Sequence, residues 1–412
     1  MSSIEEIRRE FPQLGEKVYN KPLVYLDNAA TSLRPRSVIA KWDEMSSRYS
    51  ANLHRAVHAV ANRATEEFEA ARQVVADFIG APSAKEIVFT SGTTHALNLL
   101  AFSLGEQKNF LRPGDEIIIG EEEHHSNILP WQFLAERKLL KIKVLPVDER
   151  GALQLGELPR LVSGRTRICC IAQVSNVLGL VNPVREIASF CHSHGVILIV
   201  DGAQGAVHCK TDVKDLGADF YVFSGHKLYA APGTGVLWGK KALLEMLPPY
   251  MGGGEMIRTV KWNGSTFAPV PHKFEAGTVS AGDAVGMAAA IRYIQSVGLD
   301  TIEKNDNFLA DKLMEGIKKI PHFHIVGGKD GTKRCGIVTF TVDDVHPHDI
   351  ATLLSDENIA IRAGHHCAQP LQQYLGIPAS ARASLYFYNT EEEVDTLLSK
   401  LPLIRKWSGF KD

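Results

Sequence analysis

Val196-Ile197-Leu198-Ile199-Val200-Asp201-Gly202-Ala203-Gln204 is the stretch on which the fold turns. Five aliphatic residues follow one another, four of them β-branched, with none of the polar alternation of a strand that has one wet face. The run therefore reads as a short strand covered on both sides, ending at Asp201. A helical pattern over 184–194 precedes it, and Gly195 punctuates the junction. A second strand over 219–224 follows a short helical stretch at 212–216 and ends at Ser224-Gly225-His226-Lys227. Working outward, similar runs at 86–90, 116–120, 142–147, 167–173 and 235–239 alternate with helical patterns such as 93–102 and 126–140. Short strands alternating with helical segments predict an α/β fold with a mostly parallel central sheet.

The rhythm changes after about residue 247. The segment 248–281 contains Gly252-Gly253-Gly254 and shows little period, so it reads as a long functional loop. Helical patterns at 284–297 and 301–320 lead into a smaller α+β unit. Its strands fall near 337–342, 360–362 and 383–388, and its helices at 348–356 and 391–403. This organisation predicts a large domain over 18–295 and a small domain built from 1–17 and 296–412. The 412 residues, 45% hydrophobic and 22% charged, suffice for a large core and exclude disorder by composition. Lys+Arg 45 against Asp+Glu 47 gives −2, which argues against a nucleic-acid footprint over the whole surface. The longest aliphatic run is far too short for a membrane span. The start shows no signal-peptide pattern, and the six cysteines, with Cys169 and Cys170 adjacent, form no disulfide framework. A cytoplasmic protein is expected.

Ligands of open α/β sheets sit beyond the carboxyl ends of the strands. There the sequence places a carboxylate, Asp201, and a lysine, Lys227, at the ends of consecutive strands. Pyridoxal phosphate (PLP) needs that pair: a lysine for the Schiff base and an acid that keeps the pyridine nitrogen protonated. The strand at 86–90 runs into Ser91-Gly92-Thr93-Thr94-His95 and a helix, a ready anion site for the phosphate. The strand ending at Gly120 leads into Glu121-Glu122-Glu123-His124-His125-Ser126-Asn127, which puts imidazoles beside the place for the ring. Alone, each residue would read as a cap or a solvated side chain; together they converge on one cofactor.

One cysteine stands apart. Cys367 lies in a polar, glycine-punctuated loop, Arg362-Ala363-Gly364-His365-His366-Cys367-Ala368, where imidazoles could assist a thiolate nucleophile. Cys169 and Cys170 instead sit inside an apolar strand and read as core. A zinc site at His365, His366 and Cys367 is disfavoured because adjacent ligands suit zinc spacings poorly, so no metal is predicted. Arg382 offers a planar guanidinium for a substrate carboxylate.

The stretches Tyr25-Leu26-Asp27-Asn28-Ala29-Ala30, Glu123-His124-His125-Ser126-Asn127, Asp201-Gly202-Ala203-Gln204 and Ser224-Gly225-His226-Lys227 resemble those of PLP-dependent cysteine desulfurases of the class V aminotransferase fold. The Cys367 run, Arg382-Ala383-Ser384 and Gly252-Gly253-Gly254-Glu255-Met256-Ile257 are similar to the SufS-like, group II branch. The resemblance covers about residues 22 to 400 and implies PLP-dependent transferase fold type I. It implies that Lys227 carries PLP and moves protons, that Asp201 meets the pyridine nitrogen, and that Gln204 and Asn176 approach the phenolic oxygen. It further implies that His124 stacks on the ring and that Thr93, Thr94, Ser224 and His226 hold the phosphate. Thr278 would arrive from the second subunit of a homodimer. Asn176, Arg382 and Ala30 would bind substrate, and Cys367 would take its sulfur.

The implied activity converts L-cysteine to L-alanine and an enzyme persulfide for iron–sulfur cluster assembly, with L-selenocysteine as a side substrate. A SufE-like or SufU-like acceptor protein would collect the sulfur. His346 and His348 could ligate zinc carried by a SufU-like acceptor, or merely cap a helix. His54-Arg55 resembles the family's pair at the active-site entrance, although Ala56 stands where glycine is common. A kynureninase-like hydrolysis would use the same cofactor motifs, and the Cys367 loop speaks against it. A non-catalytic sulfur carrier or zinc-binding assembly protein would not need Lys227 and Asp201.

Overall fold

The computed structural model describes residues 3–18, 20–328 and 333–410. Seven strands form the central sheet: β1 (Ile87–Thr90), β2 (Glu116–Gly120), β3 (Lys141–Leu145), β4 (Thr166–Ala172), β5 (Ile197–Asp201), β6 (Phe220–Ser224) and β7 (Gly235–Gly239). Their spatial order is β3-β2-β4-β5-β6-β7-β1, and β7 alone runs against its neighbours. The fold is α/β with a mostly parallel sheet, as the strand pattern requires.

The run at 196–200 explains itself in three dimensions. Leu198 and Val200 enter the core on one face of the sheet, and Ile199 enters the core on the other. On the first face lie α1 (Arg36–Arg48), α2 (Ala59–Phe78), α5 (Val184–Ser193) and α6 (Ala281–Val297); on the second lie α3 (Thr93–Glu106) and α4 (Leu129–Lys138). A strand covered by helices on both sides has no face to leave polar. Among the described residues, no helix is long and apolar enough to cross a membrane.

The second lobe is a four-stranded antiparallel sheet of β10 (Phe323–Ile325), β11 (Ile337–Val342), β12 (Arg362–Gly364) and β13 (Ser380–Ser384), in the order β10-β11-β13-β12. Helices α7 (Leu299–Ile317), α8 (Pro347–Asp356) and α9 (Glu391–Lys400) pack a separate hydrophobic cluster against it. Val24–Tyr25 pairs in parallel with Ile359–Ala360, and this pairing carries Asp27, Ala29 and Ala30 to the cleft between the lobes.

Some expectations shift. The strand read at 142–147 stops at Leu145, because Pro146 cannot donate to the ladder. The strand near 383–388 lies at Ser380–Ser384 instead. The supposed loop 248–281 contains a hairpin, β8 (Ile257–Lys261) and β9 (Gly264–Phe267). All of its residues but Ile257 are exposed, so no alternation of burial marks its sequence. Helices α1 and α2 went unread. The buried stripe of α2 is rich in small residues, Ala61, Ala64, Ala71 and Ala76, which weakens its apolar signal.

Candidate active site

Close backbone approach builds the phosphate end. Gly92, at φ 142, caps the 14-residue helix α3. A Cβ on Gly235 would lie 2.4 Å from the Cα of Gly92 and 2.7 Å from the carbonyl of Phe223, so only glycine lets β7 and this loop meet. Thr93 N–H donates to Ser224 Oγ at 2.8 Å, and the two hydroxyls lie 2.8 Å apart. Thr94 Oγ1 pairs with Ser126 Oγ at 2.7 Å. Hydroxyls at a helix N-terminus make a cradle for a phosphate group.

The cradle opens into a cavity of about 260 Å³ in the cleft. Ala30, Thr93, Thr94, His124, Asn176, Asp201, Gln204, Ser224, His226, Lys227 and Arg382 all line it. Asp201 closes β5, and its Oδ1 accepts the Ala203 N–H at 2.8 Å. Burial pushes its carboxyl upward, while that bond and Lys227 pull it back. Lys227 follows β6 on a single 3-10 turn. Burial lowers its ammonium to about 8, with Asp201 opposing and Arg382 and Arg362 reinforcing the shift. An amine shifted that far becomes neutral much nearer neutrality than an ordinary lysine.

His124 is held as a neutral imidazole. Its Nδ1 accepts the Ser126 N–H at 3.1 Å, and burial with nearby Lys227 lowers it to about 3. Burial and Lys227 likewise take His226 down to about 4. Arg382 is fully buried; it donates to Asn176 O at 2.7 Å and to Asp27 Oδ1 at 3.3 Å, and its Nε is buried without an acceptor.

Cys367 does not itself line the cavity; it follows His366, which does, and sits on unusual backbone. His366 and Cys367 have φ of 52° and 58°, two successive left-handed residues without glycine. Each costs about 1–2 kcal/mol, so tertiary bonds must hold the loop. The His125 N–H donates to Cys367 O at 2.7 Å, and the His125 Nε2 accepts the Gln369 N–H at 3.1 Å. Asn176 Nδ2 donates to His366 O at 2.7 Å, and His366 Nε2 meets Ser380 Oγ at 3.0 Å. The thiol is half-buried, 3.6 Å from a guanidinium nitrogen of Arg362. The other five cysteines are buried.

Sequence reasoning missed Arg362 and His125. Arg362 opens the cysteine run and pairs in register with Arg382 across β12 and β13. Like charges placed directly opposite repel, and both line the cavity, so an anion between them would offset the cost. His125 stood inside the quoted motif, but its partner residues lie some 240 positions away and no local signal shows the contact. Thr278 does not reach the cavity within its own chain. It lines a neighbouring space that shares Thr93, Thr94, Ser224 and His226.

The aminotransferase class-V family model matches residues 24–397. The chain belongs to that family. A probable cysteine desulfurase of Halalkalibacterium halodurans is 46% identical over 98% of both chains. A cysteine desulfurase of Serratia proteamaculans is 44% identical over 98% of this chain and 99% of its own. Among solved structures, the cysteine desulfurase CsdA of Escherichia coli superposes with a TM-score of 0.91 at 38% identity, covering 99% of each chain. The apo cysteine desulfurase of Thermococcus onnurineus NA1 gives 0.93 at 38%, with the same coverage.

Class V enzymes of this fold are PLP-dependent, and the cavity fits that cofactor on its own observations. Gln204 lines it with Oε1 buried and unpartnered. The Thr93–Ser224 cradle stands at one end, and Lys227 and Asp201 lie on adjacent strand ends. Lys227 would hold the group, Asp201 its ring nitrogen, and Thr93, Thr94 and Ser224 its phosphate.

Proposed function

We propose that this chain is a SufS-like, group II cysteine desulfurase that takes sulfur from L-cysteine onto Cys367 and releases L-alanine. The observation that carries the reading is a half-buried thiol beside Arg362 and His366, two residues that line a cavity containing both Lys227 and Asp201. PLP bound there supplies an electron sink for charge developing on the substrate. Arg382, assisted by Arg362, receives the substrate carboxylate and fixes its orientation. The Lys227 amine removes the Cα proton and returns it during product formation. The Cys367 thiolate attacks the substrate sulfur; the carbon–sulfur bond breaks, its electron pair stays on carbon, and a persulfide forms on the enzyme. Selenocysteine would be a side substrate, because selenium leaves without help from Cys367.

Support for the wider reading comes from the same residues. Thr278 lies beside the phosphate end yet outside the cavity, which suits a homodimer in which each subunit lends it to the other. The large domain would span 18–295, with 1–17 and 296–412 forming the small domain that carries the cysteine loop. A persulfide on such a loop calls for a SufE-like or SufU-like acceptor, with iron–sulfur assembly in the cytoplasm as the destination. His346 Nδ1 accepts the His348 N–H at 3.3 Å, and both rings are exposed at the start of α8. The remaining nitrogen of His346 suits a zinc ion brought by a SufU-like partner.

The test is release of alanine and sulfide from L-cysteine, with and without each kind of acceptor. Alanine formation stimulated by an acceptor is expected. Failure to form alanine with any acceptor would overturn the reading. His346→Ala and His348→Ala, tested singly with a zinc-loaded acceptor, should show which imidazole matters; no loss in either ends the zinc-exchange idea alone.

A further inference from the structure

Outside the cleft, three side chains from distant segments converge. His54 sits in the loop before α2 at φ 62, Glu69 lies on α2, and His272 opens the 3-10 turn His272–Phe274. One ligand atom from each lies within 4.8 Å of the others. The two imidazole rings are 4.9 Å apart at 66°. We propose that His54, Glu69 and His272 form a binding site for a zinc-class divalent cation beside the entrance loop.

Two imidazoles and one carboxylate are a common donor set for such an ion, and three protein ligands leave a tetrahedral position open. That position would face the adjoining cavity of about 210 Å³, which both histidines line. The carboxylate is already oriented from its core side. Arg72, fully buried, donates to Glu69 Oε2 at 2.9 Å and to Oε1 at 3.2 Å, as an outer-shell partner does at a metal centre. His54 Nε2 meets Glu69 Oε1 at 3.0 Å, a contact an ion would replace with a bridge. Glu255 and Glu275 border the same cavity, each already paired with a guanidinium, Arg55 and Arg72, so with Glu69 three carboxylates stand against two guanidiniums. Binding would clamp the His54 loop to α2 and steady Arg55, which reaches Glu255 at 3.3 Å.

The experiment is titration of chelator-treated holoenzyme with Zn²⁺ by calorimetry and with Co²⁺ by visible absorption, where ligand-field bands report nitrogen and oxygen coordination. Wild type and a His346→Ala/His348→Ala double variant should bind Co²⁺ alike. Glu69→Gln and His272→Gln should each weaken it by about tenfold or more. Should either variant lose its cofactor absorbance, His54→Gln on the exposed loop gives the same reading. The proposal is overturned if wild type binds neither metal, if ligand variants with normal cofactor absorbance bind as wild type does, or if only the double variant loses binding.

Discussion

Asp201 and Lys227 stand at the ends of strands buried on both faces, whereas Cys367 stands on left-handed backbone that belongs to no strand or helix. The first pair is fixed by hydrophobic cores above and below the sheet. The cysteine is fixed by hydrogen bonds from His125 and Asn176, both reaching across from the other lobe. Damage to the sheet should therefore appear as lost stability, and damage to the loop's anchors as lost turnover. A rigid floor suits the cofactor; on the proposed reading, the pinned but strained loop holds a nucleophile that must later surrender its sulfur.

Substitution of Lys227 strikes both regions at their meeting point and has the largest effect. Lys227→Ala should lose alanine formation by about ten-thousandfold or more and purify without a borohydride-reducible cofactor linkage. Normal trappable colour in that variant would remove Lys227 from the account. His125→Ala tests the loop alone. It deletes the acceptor of the Gln369 N–H, and a nucleophile displaced by about 1 Å should cost about a hundredfold in cysteine turnover. Cofactor absorbance and melting temperature should barely move; a large fall in melting temperature would erase the distinction between the regions. Ile199→Ala tests the floor: the cavity left in the sheet should cost about 2–5 kcal/mol in urea unfolding, with turnover per folded molecule little changed.

The smallest effect is one of pH. If Lys227 carries PLP, as proposed, capture of the cofactor by cofactor-free protein needs its neutral amine. Its lowered pKa, about 8, means that the capture rate should rise with pH and level off above about 8 rather than above the ordinary lysine value. Stopped-flow absorbance against pH reads this directly, and a rise continuing to pH 10 would show that the cleft does not depress the amine.

The two regions also differ in how far the sequence disclosed them. An unbroken aliphatic run followed by Asp201, then a second strand ending at Lys227, is a local pattern, so floor and cofactor could be read along the chain. The cysteine loop showed itself only by its glycine and polar neighbours. Its anchors were hidden, because His125 and Asn176 meet it from far away in sequence. Arg362 stayed hidden for a related reason: its pairing with Arg382 depends on sheet register, which single strands of three and five residues do not reveal. The hairpin β8-β9 and the alanine-rich α2 escaped because neither carries a strong apolar stripe.

The claim at the centre is that sulfur from L-cysteine lands on Cys367. One turnover of the holoenzyme with L-cysteine, without acceptor or reductant, followed by peptide mass spectrometry, tests it. The peptide containing Cys367 should gain one sulfur atom that a thiol reductant removes, in step with the alanine formed, and Cys367→Ser should give neither. Sulfur on Cys335 or Cys209 instead, or alanine formed by Cys367→Ser at the wild-type rate, would contradict the account.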